Sequence, residues 1–264
     1  MRELREFRGR PLLIHDIETS LIGGAAIARL DLTETARMML DLAAAPAREE
    51  GPYYLTSANG EVLARRFLDR DFARLIDCAD SISADGQPLV TASRLFSNKP
   101  LPERVATTDL YPLVAEMAQR TGASFYLLGA SEEVNRAACE ATLRAAPELK
   151  IVGRSHGYLK GAQLLAKLDE INALAPDILW LAMGVPREQQ FVVEHRSRLR
   201  NVKMIKTSGG LFDFVAGAKR RAPRWMQDVG LEWAFRLGLE PRRLMKRYLT
   251  TNPIAAYLLL TQTR

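Results

Sequence analysis

The sequence predicts an α/β fold, a mainly parallel sheet flanked by helices and followed by a basic helical appendage. Three observations carry this expectation. Short apolar runs closed by Gly, Ser, Asn or Pro alternate with longer stretches of helical period. Those stretches have the length of crossover helices, so successive strands read as βαβ units. The positive charge is gathered at one end. Val215 to Arg264 holds ten Lys/Arg against three Asp/Glu, a local +7, so the first 214 residues carry −1 of the formal +6.

The elements follow in order. "PYYLTSAN" reads as a strand ending in a polar turn, and "GEVLARRFLDRDFARLIDCA" as one amphipathic helix. "DLYPLVAEMAQRTG" is a helix closed by Gly122, feeding the buried strand "ASFYLLGAS". Then come "EEVNRAACEATLRAAP" (helix), "LKIVGRSHGYL" (strand and turn) and "GAQLLAKLDEINALAP" (helix). "DILWLAMGVP" (strand), "REQQFVVEHRSRL" (helix) and "VKMIKTSGG" (strand) complete the body. The expected division is an α/β domain over residues 1–214 and the basic appendage over 215–264.

Composition narrows the function. A hydrophobic fraction of 47% and a charged fraction of 26% are ordinary for a soluble globular protein. A nearly neutral body is not the surface of a nucleic-acid binder. Cys78 and Cys139 form no CxxC pair, and His15, His156 and His195 are scattered, so no metal site is expected. "MRELREFRGRPLLIHD" lacks the apolar run of a signal peptide, and "IAAYLLL" is far short of the roughly 20 residues that span a bilayer. The expectation is a protein neither exported nor membrane-spanning.

In open α/β sheets ligands gather beyond the carboxyl ends of the strands. The turns there are "TSANGE", "LLGASEE", "AMGVPREQQ" and "TSGGLFDF". Their glycines Gly129, Gly184, Gly209 and Gly210 leave backbone N–H groups for an anion such as a diphosphate. None matches G-x-G-x-x-G or a Walker A loop. Asp85, in "CADSISADGQPLV", stands before Gly86 in a stretch short of charge; the spacing favours a turn, and a carboxylate in an apolar cleft is also a general base. Arg104, in "KPLPERVATTDL", pairs with Glu103 on the surface or reaches a diphosphate, and Thr108 or Asp109 caps the helix that follows. Arg187, Glu188 and Gln189 solvate a helix start or line the crevice.

"SADG", "KPLPERVATTDL", "YLLGAS", "GVPREQQFVVEHR", "GGLFDFVAGAKRRAPRWMQDVGLEW" and "EPRRLMKRYLTTNP" occur in that order. From about Tyr54 to Pro253 the chain resembles the WecG/TagA/CpsF family of bacterial glycosyltransferases. The resemblance implies a Rossmann-like domain with a C-terminal helical appendage. It implies an inverting transfer of a hexose or N-acetylhexosamine from a UDP-sugar to a polyprenyl-diphosphate-linked saccharide in surface-polysaccharide synthesis. No metal or other cofactor is implied. Asp85 is then the general base, Ser57 and Asn59 are ligand contacts, and Arg104 meets the diphosphate. The family commonly reads "P-[KR]-Q-E" where this chain has "PREQQ", so Glu188 stands in place of Gln and Gln189 in place of Glu. An ionised Glu188 cannot donate a hydrogen bond to a ligand. Either the donor sugar differs or Gln189 takes over the contact.

The basic segment is expected to begin a membrane-facing lid, with Arg220, Arg221 and Arg224 lending charge to a diphosphate. Trp225, Gly230, Trp233 and Leu237 fall near one another on a single helix after Pro223, and Leu244, Tyr248 and Leu249 on a later apolar side. The expected partners are a UDP-sugar, the lipid-linked acceptor and an anionic membrane surface at the cytoplasmic face, with no nucleic acid; a homo-oligomer is compatible with the sequence. The rival reading is a nucleic-acid-binding α/β module using that same segment.

Overall fold

A computed structural model describes residues 12–264; the first eleven residues, where the N-terminal stretch judged not to be a signal peptide begins, lie outside them. The chain opens with an antiparallel hairpin, β1 (Thr19–Ile22) and β2 (Ala25–Ala28), turning on Gly23 and Gly24 at φ +55° and +82°. Helix α1 (Leu32–Ala44) starts with a capping box, in which Asp31 accepts from the N–H of Glu34 and Glu34 from that of Asp31. β3 (Tyr53–Ala58), α2 (Gly60–Leu68), α3 (Arg70–Asp77), β4 (Ser81–Ala84), α4 (Gln87–Phe96) and α5 (Thr107–Thr121) follow. The remainder of the body alternates strictly: β5 (Ser124–Gly129), α6 (Glu132–Ala145), β6 (Lys150–Ser155), α7 (Gly161–Leu174), β7 (Ile178–Ala182), α8 (Arg187–His195), β8 (Met204–Thr207) and α9 (Leu211–Val215).

Six strands form one parallel sheet in the order β4-β3-β8-β7-β5-β6, as expected for an α/β fold. Apolar residues of α1, α5, α6 and α9 pack on one face around Phe125, Trp180 and Tyr111. Leu168, Ile171, Phe191 and Val192 of α7 and α8 cover the other. Both faces are sealed, which is why β7 reads as an unbroken apolar run.

Four features depart from the sequence expectations. The hairpin, α1, β4 and α4 were not anticipated; among these, four-residue strands such as "SISA" carry too few apolar residues to show a period. The single helix from Gly60 breaks at Asp69, whose carboxylate accepts from the N–H groups of Asp71 and Phe72 and restarts the helix. The cap of α5 is Ala106, not Thr108 or Asp109; Thr107 already lies in the first turn. The single helix after Pro223 is two, α10 (Arg224–Asp228) and α11 (Glu232–Leu239), parted at Gly230 with φ +78°.

α12 (Pro241–Thr261) closes the chain and lies along α2. Gly60 permits this approach: a Cβ there would stand 3.2 Å from that of Ala255. Leu258 and Leu259 enter the core beside Ile22, Ile27 and Leu63. The backbone of Gln262 and Arg264 then bonds to Gly24 and Leu21 of the hairpin. Leu244 and Tyr248 are buried as expected of an apolar side, whereas Leu249 is 69% exposed.

Candidate active site

β3 is followed by helices on the α8 side of the sheet, and β8 by α9 on the α1 side, so a crevice opens where the two strand ends diverge. Asp85 leaves the end of β4 with its N–H donated to the carbonyl of Ala58, 2.8 Å away, which extends strand pairing instead of making the expected turn. Its half-buried carboxylate accepts from Thr107 Oγ1 at 3.2 Å. Thr107 in turn lies 3.3 Å from Ser57 Oγ, at the end of β3, and Ser57 is 3.1 Å from Ser83 Oγ. Lys206 of β8 donates to Ser57 Oγ at 2.7 Å and to its neighbour's carbonyl at 3.2 Å. Burial pushes the Asp85 carboxyl above its usual range, against the pull of Lys206, Arg236 and Arg104. The same burial lowers the Lys206 ammonium to about 8, partly offset by Asp85 and Glu188.

Asn59 caps α2, its side-chain oxygen accepting from the N–H of Val62 at 3.1 Å. Glu188 is 2% exposed and gathers the turns after β7 and β8. It accepts from the N–H groups of Met183 (3.3 Å), Gly184 (3.2 Å) and Gly209 (2.9 Å). Gln189, 1% exposed, donates to it as well. Neither residue solvates the helix start. The burial that raises the Glu188 carboxyl is opposed by these N–H groups and by Lys206. Gly210 leads into α9. Gly129 has φ +141°, and a Cβ there would meet the Ala182 carbonyl at 2.1 Å, so only glycine lets β5 end so close to β7.

Arg104 does not pair with Glu103, whose carboxylate accepts from the N–H of Leu32. Its guanidinium reaches Glu232 (3.1 Å), Gln227 (2.9 Å) and Asp109 (3.3 Å). Arg221 joins through Asp109 and Gln227, and Arg236 through Glu232. This network ties α10 and α11 to the start of α5 and sets Arg104 and Arg236 near enough to act on Asp85. Arg224 is exposed and pairs with Asp228, while Arg220 is exposed with no carboxylate partner among the described residues. Beyond β5 and β7 lies a cavity of about 180 Å³ lined by His156, Met183, Arg187, Phe191 and His195. Arg187, one of its lining residues, also stands over the Tyr158 ring.

The sequence pointed to Asp85, Ser57 and Asn59, and these meet at neighbouring strand ends. It did not point to Lys206 or to Thr107 as the Asp85 partner. The available signal was a lysine inside the apolar run "VKMIKT", between residues that must face the core.

The chain matches the family model described as "Glycosyl transferase WecG/TagA/CpsF family" over residues 20–264. It is 31% identical over 205 residues, 78% of each chain, to a Bacillus subtilis (strain 168) protein named N-acetylglucosaminyldiphosphoundecaprenol N-acetyl-beta-D-mannosaminyltransferase. It is 30% identical over 190 residues, 72% of each chain, to a protein of that name from Bacillus spizizenii (strain ATCC 23059 / NRRL B-14472 / W23). Among the described residues no helix is long and apolar enough to cross a membrane.

Proposed function

The chain belongs to the WecG/TagA/CpsF family of glycosyl transferases, and on that premise we propose that it moves an N-acetylhexosamine from a UDP-sugar, with inversion, to a polyprenyl-diphosphate-linked saccharide. The names of the two relatives favour N-acetylmannosamine as the sugar and a lipid-diphosphate-linked N-acetylglucosamine as the acceptor. The observation that carries the reading is Asp85, a carboxylate at a strand end with its basicity raised by burial.

The acceptor hydroxyl oxygen attacks the anomeric carbon from the side opposite the diphosphate. As the new C–O bond forms, the bond to the diphosphate breaks and its electron pair leaves with UDP. The hydroxyl proton passes to Asp85. Cations of the crevice and tail, Arg220 foremost because it has no carboxylate partner among the described residues, balance the departing charge in place of a metal ion. The cavity lined by Arg187 and Phe191 offers a place for the uracil ring. It lies beyond β7 and β5, three and four strand positions from the β4 edge that carries Asp85. Residues 215–264 serve as the appendage that closes over the site and rests on the inner face of the membrane.

The test is acceptor-dependent release of UDP. Full-length protein is given a panel of UDP-hexoses and a lipid-diphosphate-linked N-acetylglucosamine, with products read by mass spectrometry. Release from UDP-N-acetylmannosamine, undiminished by EDTA, is the expected result. Hydrolysis without acceptor, or no UDP from any donor, overturns the reading; strict dependence on a divalent cation overturns its metal-free form.

A further inference from the structure

Lys206 is 1% exposed on an interior strand, paired in register with Leu55 and Trp180. An ammonium so placed is costly unless it is partnered. α1, which covers it on the same face, offers only Thr35, Met38 and Met39. The charged groups acting on it are Asp85 and Glu188. Those acting on Asp85 are Lys206, Arg236, Arg104 and Glu232.

We propose that Lys206 is a positioning residue for the transfer, orienting the Ser57–Thr107 hydroxyl chain toward Asp85 and holding that carboxylate ready to accept a proton. The inference rests on Asp85 being the base. An ammonium only donates and a carboxylate only accepts, so the two hydroxyls between them are polarised in one direction. Lys206 gives to Ser57 at 2.7 Å, Ser57 lies 3.3 Å from Thr107, and Thr107 gives to Asp85 Oδ2 at 3.2 Å. Among the described residues no hydrogen bond reaches Asp85 Oδ1, which leaves that oxygen for the acceptor hydroxyl. The positive charge of Lys206 also opposes the burial that would otherwise protonate Asp85. Buried behind Ser57, Lys206 does not touch substrate.

The test needs no substrate at first. The carboxyl ¹³C signal of Asp85, identified by its loss in Asp85→Asn, is titrated by NMR in the full chain. In Lys206→Met and Lys206→Gln the midpoint is expected to rise by about one pH unit, the scale of losing one nearby opposite charge, and in Lys206→Arg to stay near wild type. The acid limb of kcat/KM for transfer moves by the same amount. An unmoved Asp85 midpoint overturns the proposal. A moved midpoint with an unmoved acid limb overturns the role in transfer, because Asp85 is then not the base. Should the neutral variants fail to fold, the reciprocal experiment decides: the Lys206 ¹³Cε midpoint falls in Asp85→Asn if the two are coupled, and an unchanged midpoint overturns the coupling.

Discussion

Glu188 and Asp85 are both carboxylates at strand ends, but their oxygens are used differently. Glu188 accepts from three backbone N–H groups and from Gln189, which fills its acceptor sites. Asp85 accepts one side-chain hydroxyl and retains capacity for a substrate proton. Glu188→Ala is therefore expected to cost stability, by about 3–5 kcal/mol in urea unfolding, as N–H groups and Lys206 lose a buried partner. Asp85→Asn should leave the chain folded, at a smaller cost in the urea midpoint than Glu188→Ala because no backbone N–H loses its acceptor, and lower kcat by about 10²–10⁴-fold. Because burial raises the Asp85 carboxyl, activity should rise with pH above the usual carboxylate range, and should fall again near pH 8 as Lys206 loses its proton. A pH–rate profile flat from 5 to 9 would contradict both assignments. Asp85 could be found in the sequence because the "ADG" string travels with other motifs. Lys206 showed only as a lysine in an apolar run; its role was hidden, since its burial is made by β3 and β7 and its partner Ser57 is 149 positions away.

The helices α10 to α12 show what periodicity reveals and what it hides. The segment was legible as helical, basic and amphipathic; its break at Gly230 was not, because that glycine also fits a helix face. Trp225, Val229, Leu239, Met245 and Leu249 stay exposed. Six of the ten Lys/Arg from residue 215 onward have carboxylate partners, leaving Arg220, Arg242, Lys246 and Arg264 unpaired among the described residues. A basic, aromatic-bearing surface of this kind suits an anionic bilayer, and the pairing shrinks the charge available below the count read from the sequence. Each free cation near such a surface contributes about 1 kcal/mol, so Arg242→Gln with Lys246→Gln should weaken vesicle binding by roughly 30-fold. Co-sedimentation with phosphatidylglycerol vesicles measures this, phosphatidylcholine vesicles serving as the control. Equal loss on both lipids would show that charge is not the cause.

At the scale of the molecule, the parallel sheet was legible because five of its strands are apolar runs between helices; the β4 edge and the hairpin beside it were not, being too short to declare themselves. That edge is where α12 returns. Leu258 and Leu259 fill the space between the hairpin and α2, and Leu244 is 1% exposed further up the helix. Removing three such leucines forfeits about 4–9 kcal/mol of burial, against a total stability of roughly 5–15 kcal/mol. The backbone bonds from Gln262 and Arg264 to the hairpin go with them. A chain ending at Phe214 is therefore expected to lose its cooperative melting transition, or to melt far below wild type by circular dichroism, before any question of activity arises. Loss of transfer on such a deletion would then report an unfinished core as much as a missing lid. Substitutions confined to α10 and α11 separate the two. Gln227→Ala removes the amide shared by Arg104 and Arg221 without touching α12. It should leave the melting temperature within a few degrees of wild type while lowering transfer, and a melting curve as damaged as that of the deletion would mean that the Arg104 network, not α12, holds the body together.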